Sequence, residues 1–151
     1  EGRWWALAGD SGALSAYHAE RLETDDWTPH ERNPVVTDRP GAVRPAGRPV
    51  ARDDGFVVFF QDCTRRYGER VRAYEVRTLS PTAYRDAPCG DGAVLEPTGG
   101  LGWNSGRMHH LDAWLLADRW LCVVDGNVGL GKSLFGDHWA VGLYEHPLDG
   151  R

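Results

Sequence analysis

Two stretches of this chain are offset copies of one another. Ala16-Tyr17-His18-Ala19-Glu20-Arg21-Leu22 recurs as Ala73-Tyr74-Glu75-Val76-Arg77-Thr78-Leu79, and the aromatics Trp27 and Tyr84 keep the same offset. The shared pattern is A-Y-x4-L-x4-aromatic. Each copy follows a strand-like run rich in aromatics, Arg3 to Leu7 in the first case and Phe56 to Phe60 in the second. A looser echo lies further on. Arg44-Pro45-Ala46-Gly47 precedes Phe56 to Phe60 much as Arg107-Met108-His109-His110 precedes Trp120 to Val124, with a similar separation between the two arginines. Both runs end on a polar pair containing Asp, Gln61-Asp62 and Asp125-Gly126. Recurrence at a near-constant offset marks a repeat architecture.

The repeat unit must be made of strands. Seven Trp and 19 Gly among 151 residues suit short strands and tight turns, and no long stretch keeps a helical period. Repeating units of several short strands are blades of a β-propeller. The expectation is an all-β fold, a partial five-bladed propeller of about two and a half blades. It forms a single domain over 1–151, with units at about 1–37, 38–100 and 101–151. So few blades cannot close a ring, and the chain opens inside a strand-like run without an initiator Met, so the expectation is the C-terminal half of a larger propeller. An all-β sandwich with a chance internal similarity is the other reading.

Charge and composition exclude several function classes. The net charge is −5, which argues against a nucleic-acid or anionic-membrane surface, since phosphates call for clustered Lys and Arg. No apolar run reaches the roughly 20 residues of a membrane span, and the first residues carry no signal-peptide core. Cys63, Cys89 and Cys122 form no zinc spacing. Their sparse, odd number points to a reducing compartment, hence a cytoplasmic location, and leaves one disulfide open.

The chain resembles the five-bladed, furanosidase-like propeller domain at the N-terminal side of glucosamine inositolphosphorylceramide transferases and bacterial relatives, a fold similar to arabinanases, invertases and levansucrases. The resemblance covers roughly Gly2 to Gly126. It is carried by Trp4-Trp5-Ala6-Leu7, Leu14 to His30 with Asn33-Pro34-Val35, Arg44-Pro45-Ala46-Gly47, Gln61-Asp62-Cys63 with Tyr67-Gly68, Met108-His109-His110 and Val124-Asp125-Gly126. It implies a carbohydrate-recognising module associated with a glycosyltransferase, with a fused transferase domain as partner. In the hydrolase relatives the reacting acids lie mostly in earlier blades. The alternative, a glycoside hydrolase of the arabinanase or fructosidase type, would thus keep its acids mainly upstream.

Polar residues at strand ends are the candidates for contact with a sugar, because propeller strand ends meet at a central funnel. These are Arg44, Gln61, Asp62, Arg107, His109, His110 and Asp125, with Asp112 nearby. Carboxylates and amides pair with hydroxyls, and guanidinium groups fix orientation. Asp62 is the candidate catalytic carboxylate, although glycoside hydrolysis needs two. The structural alternative makes Arg44 and Asp62 an ion pair between blades or caps of turns. Adjacent strand residues face opposite ways, so only one of His109 and His110 can enter the funnel, and no metal or cofactor is expected. Gly126 to Ser133 fits the G-x4-G-K-S phosphate loop, but Gly136 and Asp137 interrupt the helix it needs. A nucleotide binder is therefore the third reading, behind a plain Gly-rich loop. The arginines 39, 44, 48 and 52, with Asp38, Asp53 and Asp54 around them, read as a solvated loop.

Overall fold

The computed structural model describes residues 2–52, 55–129 and 137–148. Among them there is no helix. Eleven strands form three antiparallel sheets that follow one another along the chain. The first sheet holds β1 (Trp4–Asp10), β2 (Ala13–Ala19) and β3 (Thr28–Pro29) in that order. The second holds β4 (Arg44–Pro45), β5 (Val50–Arg52), β6 (Gly55–Asp62), β7 (Arg70–Leu79) and β8 (Tyr84–Pro88). There β4 and β5 both pair with β6, and β7 and β8 follow. The third runs β9 (Leu111–Leu115), β10 (Arg119–Asn127) and β11 (Trp139–Pro147), with β10 in the middle.

The copied stretches occupy the same place in their sheets. Leu7 pairs with Ala16 and Phe59 with Ala73; Gly9 pairs with Leu14 and Gln61 with Val71. Leu14 and Val71 each bridge to a returning segment, at Val36 and Leu95. His30 and Cys89 each donate their N–H to the carbonyl of the copied alanine, Ala16 and Ala73. The sequence offset is therefore an offset in backbone pairing. The hairpin between β1 and β2 turns through Ser11 and Gly12, both at positive φ, which is the two-residue turn whose twist matches that of the strands.

The middle sheet lies between the other two. Its β6 reads Phe-Val-Val-Phe-Phe because both of its faces are covered. Val58 and Phe60 join Leu14, Ala42, Val43 and Val76 in one core. Val57 and Phe59 join Val71, Ala73, Met108, Leu111 and Val124 in the other. Backbones come very close where the sheets meet. A Cβ on Gly9 would overlap the Val43 carbonyl, and one on Gly47 would overlap that of Leu111. Only glycine admits such an approach. The Leu111 N–H donates to the Ala46 carbonyl at 2.7 Å across the second of these junctions.

Two of the four arginines in the basic run before β6 are tied to partners elsewhere in the fold and are not free in a solvated loop. Arg39 grips Asp86 of β8 with two hydrogen bonds of 2.8 and 2.7 Å and lies over the ring of Tyr74. Arg48 pairs with Asp112 of β9 at 2.5 Å and covers Trp114. The neutralising carboxylates come from strands remote in the sequence, which local charge balance cannot show.

These contacts set the stability pattern. Phe60→Ala removes a fully buried ring at the first junction and should cost about 3–5 kcal/mol in urea unfolding. Gly9→Ala, which adds a single methyl group, should destabilise by at least about 1–3 kcal/mol through overpacking. Equal midpoints for Gly9→Ala and wild type would mean that the sheets can separate at this point without loss.

Candidate functional site

The candidate residues fall into two groups. The first surrounds Asp62. This carboxylate is 1% exposed at the end of β6. Its Oδ2 accepts hydrogen bonds from Arg70 Nε at 3.0 Å and Arg72 Nε at 2.8 Å, and its Oδ1 accepts the Thr64 N–H at 3.1 Å. Burial by itself raises the pKa, but the bonds from Thr64, Arg72 and Arg70 outweigh it and hold the group far below the usual carboxylate range. Asp62 therefore stays ionised at any ordinary pH and has no proton to give. Its partners are Arg70 and Arg72 of the adjacent strand, not Arg44. Gln61, on the opposite face, points its amide at the Pro45 carbonyl, at 3.5 Å, and its Oε1 lies 3.9 Å from Cys63 Sγ.

The second group forms where the middle and third sheets meet. Arg44 lies over the ring of Tyr67, 5.0 Å from its centroid. Tyr67 meets His109 edge-on at 5.3 Å. His109 stacks on Trp139 at 4.4 Å with the planes 18° apart, and Arg107 covers Trp139 at 5.0 Å. Three acid or amide groups complete the cluster. Asp125 Oδ1 accepts both the His109 and the His110 backbone N–H at 2.8 Å, while its Oδ2 contacts His109 Nδ1. Arg107 Nη2 donates to Asp137 at 2.6 and 2.5 Å, and Asn127 Nδ2 donates to the same carboxylate. Burial pushes the Asp125 pKa up, but the His109 side chain and the two backbone donors bring it below its ordinary value. Asp112 lies apart with Arg48 and is lowered as well: burial raises it, and the Arg48 and Trp114 hydrogen bonds prevail.

The local sequence explains the arrangement. Gly68, at φ +59°, has the imidazole of His109 where its own Cβ would be, so the loop after β6 can lie directly against the ring. Two neighbouring N–H groups converging on one carboxylate turn His109 inward and leave His110 outside, exposed. The structure thus brings Arg44, Arg107, His109 and Asp125 together and keeps Gln61, Asp62 and His110 out of the aromatic cluster. Sequence reading misses Trp139, Asp137 and Asn127 as members. Trp139 and Asp137 alternate at the entry to β11, and that spacing of two, facing one side of a strand, is the signal that could have found them. The phosphate-loop motif lies partly outside the described residues. Its described part, Gly126 to Gly129, begins as the end of β10.

Chemically the cluster offers flat aromatic surface, two guanidinium groups and two carboxylates. Such a set can hold a polyol. Among the described residues, no group of three or more His, Cys, Asp or Glu side chains is placed to hold a metal ion. Asp62 itself should act on stability. A carboxyl with a lowered folded pKa contributes stability that is full above its unfolded value and is lost as pH falls. Asp62→Asn should cost about 3 kcal/mol at pH 7 by leaving two guanidinium groups short of a counter-charge. The gap between variant and wild type should then narrow as pH drops through the ordinary Asp value of 3.8. Denaturant titrations at several pH values check this, and a gap independent of pH would contradict it.

Comparison with known proteins adds an independent line of evidence. The family described as "Glucosamine inositolphosphorylceramide transferase 1, N-terminal" matches residues 2–127. Proteins named glucosamine inositolphosphorylceramide transferase 1 from Oryza sativa subsp. indica and subsp. japonica are 31% identical over 150 residues. In each case the match covers 90% of this chain and 20% of the relative. The Arabidopsis thaliana protein of the same name is 28% identical over 144 residues, covering 89% of this chain and 19% of the relative. The chain thus spans about a fifth of the length of these relatives. A family match over 2–127 of 151 residues is decisive: the chain belongs to the N-terminal domain family of glucosamine inositolphosphorylceramide transferase 1.

Proposed function

We propose that this chain is a carbohydrate-recognising module working with a glycosyltransferase. The observation that carries the reading is the continuous run Arg44–Tyr67–His109–Trp139–Arg107, flanked by Asp125 and Asp137. Aromatic faces take the apolar face of a sugar ring, and carboxylates take its hydroxyls. The guanidinium groups suit an anionic substituent such as a phosphodiester. The relatives' name joins glucosamine to an inositolphosphorylceramide, and a sugar or inositol bearing phosphate has the chemistry this cluster fits. Three successive antiparallel sheets with glycine-tight junctions also support the propeller reading, with the cluster at a funnel end.

Hydrolysis of a glycoside by this chain's own carboxylates is the weaker reading. It needs one carboxyl held protonated as a general acid alongside an ionised partner. Asp62, Asp112 and Asp125 are all held below their ordinary pKa values, and each is bound by cationic or N–H donors. None is prepared to deliver a proton.

Titration calorimetry against inositol phosphates, glucosamine and neutral hexoses tests the proposal. Binding to a phosphorylated polyol is expected. Trp139→Ala and Arg107→Ala should each weaken it about tenfold, the equivalent of about 1.4 kcal/mol. The Arg107 loss should shrink in high salt, while the Trp139 loss should not. Uniform failure to bind any of these compounds, by a chain shown to be folded, would refute the reading.

A further inference from the structure

Within the aromatic cluster the ring of His109 is fixed on nearly every side. Trp139 stacks on it and Tyr67 meets it edge-on. Gly68 closes another side, since a Cβ there would overlap the histidine's Cδ2. Nδ1 lies against Asp125 Oδ2 and is sealed from solvent. The side chain is nevertheless 20% exposed. Nε2 has no hydrogen-bond partner among the described residues and is not sealed as Nδ1 is. The open corner of the ring is therefore the one that carries Nε2.

Which ring nitrogen carries the hydrogen follows from Asp125. Its Oδ1 already accepts the backbone N–H groups of His109 and His110, both at 2.8 Å. Burial raises the carboxyl's pKa, but the His109 side chain and these two donors bring it below the ordinary value. The group is thus ionised and can only accept. A hydrogen bond between Oδ2 and Nδ1 then requires the hydrogen on Nδ1. In a neutral imidazole that leaves the lone pair on Nε2. The carboxylate on one side of the ring therefore decides what the other side offers, as it does where a carboxylate orients a metal-binding histidine.

We propose that His109 Nε2 is a specificity-determining acceptor for a hydroxyl group of the ligand, and that Asp125 positions it by fixing the tautomer. The proposal rests on the sugar-binding reading and says which ligand group the site selects. An acceptor at this corner takes the hydrogen of a hydroxyl. It turns away a group that can only accept, such as an ether or a phosphate oxygen. The face of Trp139, stacked beside it, is suited to the ring that bears the hydroxyl. A phosphate on the same ligand is then directed to the guanidinium groups of Arg44 and Arg107. Of these, Arg44 has no carboxylate partner among the described residues. The cluster thus selects a polyol by a free hydroxyl at His109 as well as by its charge.

Long-range nitrogen NMR at pH 8 reads the tautomer without any ligand. The His109 signals are those that vanish in His109→Asn. The wild-type ring should carry its hydrogen on Nδ1. In Asp125→Asn the amide oxygen must serve the two backbone N–H groups, which turns the amide nitrogen toward Nδ1. The ring hydrogen should then move to Nε2. A wild-type ring with its hydrogen on Nε2, or on both nitrogens, would overturn the proposal. Titration calorimetry reads the specificity, with myo-inositol 1-phosphate and its monodeoxyfluoro analogues, whose fluorine cannot donate. The wild-type chain should bind one analogue about tenfold more weakly than the parent compound. That gap should close in Asp125→Asn. It should close as well in His109→Asn, which keeps a donor toward Asp125, deletes Nε2 and decides the matter if Asp125→Asn fails to fold by circular dichroism. Equal affinity for the parent and every analogue would overturn the inference and leave the sugar reading in place. So would a gap at the same ring position that persists in His109→Asn. Binding of none of these compounds by the folded chain would sink both.

Discussion

β6 is packed on both faces, and the rest of the structure is arranged around that fact. An antiparallel sheet with one wet face would alternate apolar and polar residues; Phe56 to Phe60 does not alternate, because sheet 1 claims one side and sheet 3 the other. The two junctions this creates are tight enough to exclude any side chain at Gly9 and Gly47. Those glycines trade backbone freedom for the close approach that lets small cores of Val, Ala and Leu become dry. What lies at the edges of these junctions, including the aromatic cluster, is positioned by the same contacts.

Electrostatics follow the packing. Three acids of the sheets are each tied to donors of their own: Asp62 to two arginines, Asp125 to a histidine and two backbone amides, and Asp86 to Arg39. The carboxylates of such a region are already engaged and held in place. The arginines on the aromatic rings add orientation without needing to be released from bulk solvent at the moment of contact.

Much of this is legible in the sequence and some is not. The offset between Ala16-Tyr17 and Ala73-Tyr74 is a register statement, and strand register is what an alternating pattern encodes best. Four of the cluster's residues, Arg44, Arg107, His109 and Asp125, are visible because strand ends carry polar residues for a reason. The partners of the arginines are not. Asp86 and Asp112 lie far along the chain from Arg39 and Arg48, and nothing in the local composition distinguishes them from Asp38. Trp139 reads as the start of a strand, and it is one, but its ring belongs to His109 and Arg107 by virtue of a fold-back that only tertiary structure supplies.

Strand pairing in this chain is short-range. Among the described residues even the widest pair, Arg119 with Pro147, closes within the third sheet's own stretch, and no strand of one sheet is threaded between strands of another. Each sheet can therefore assemble from its own contiguous stretch at modest loop-closure entropy and meet its neighbour afterwards. Folding of this kind has a modular grammar. A sheet can be duplicated, deleted or exchanged at the gene level without rethreading the remainder, and the cost of such a change is confined to the junction it opens.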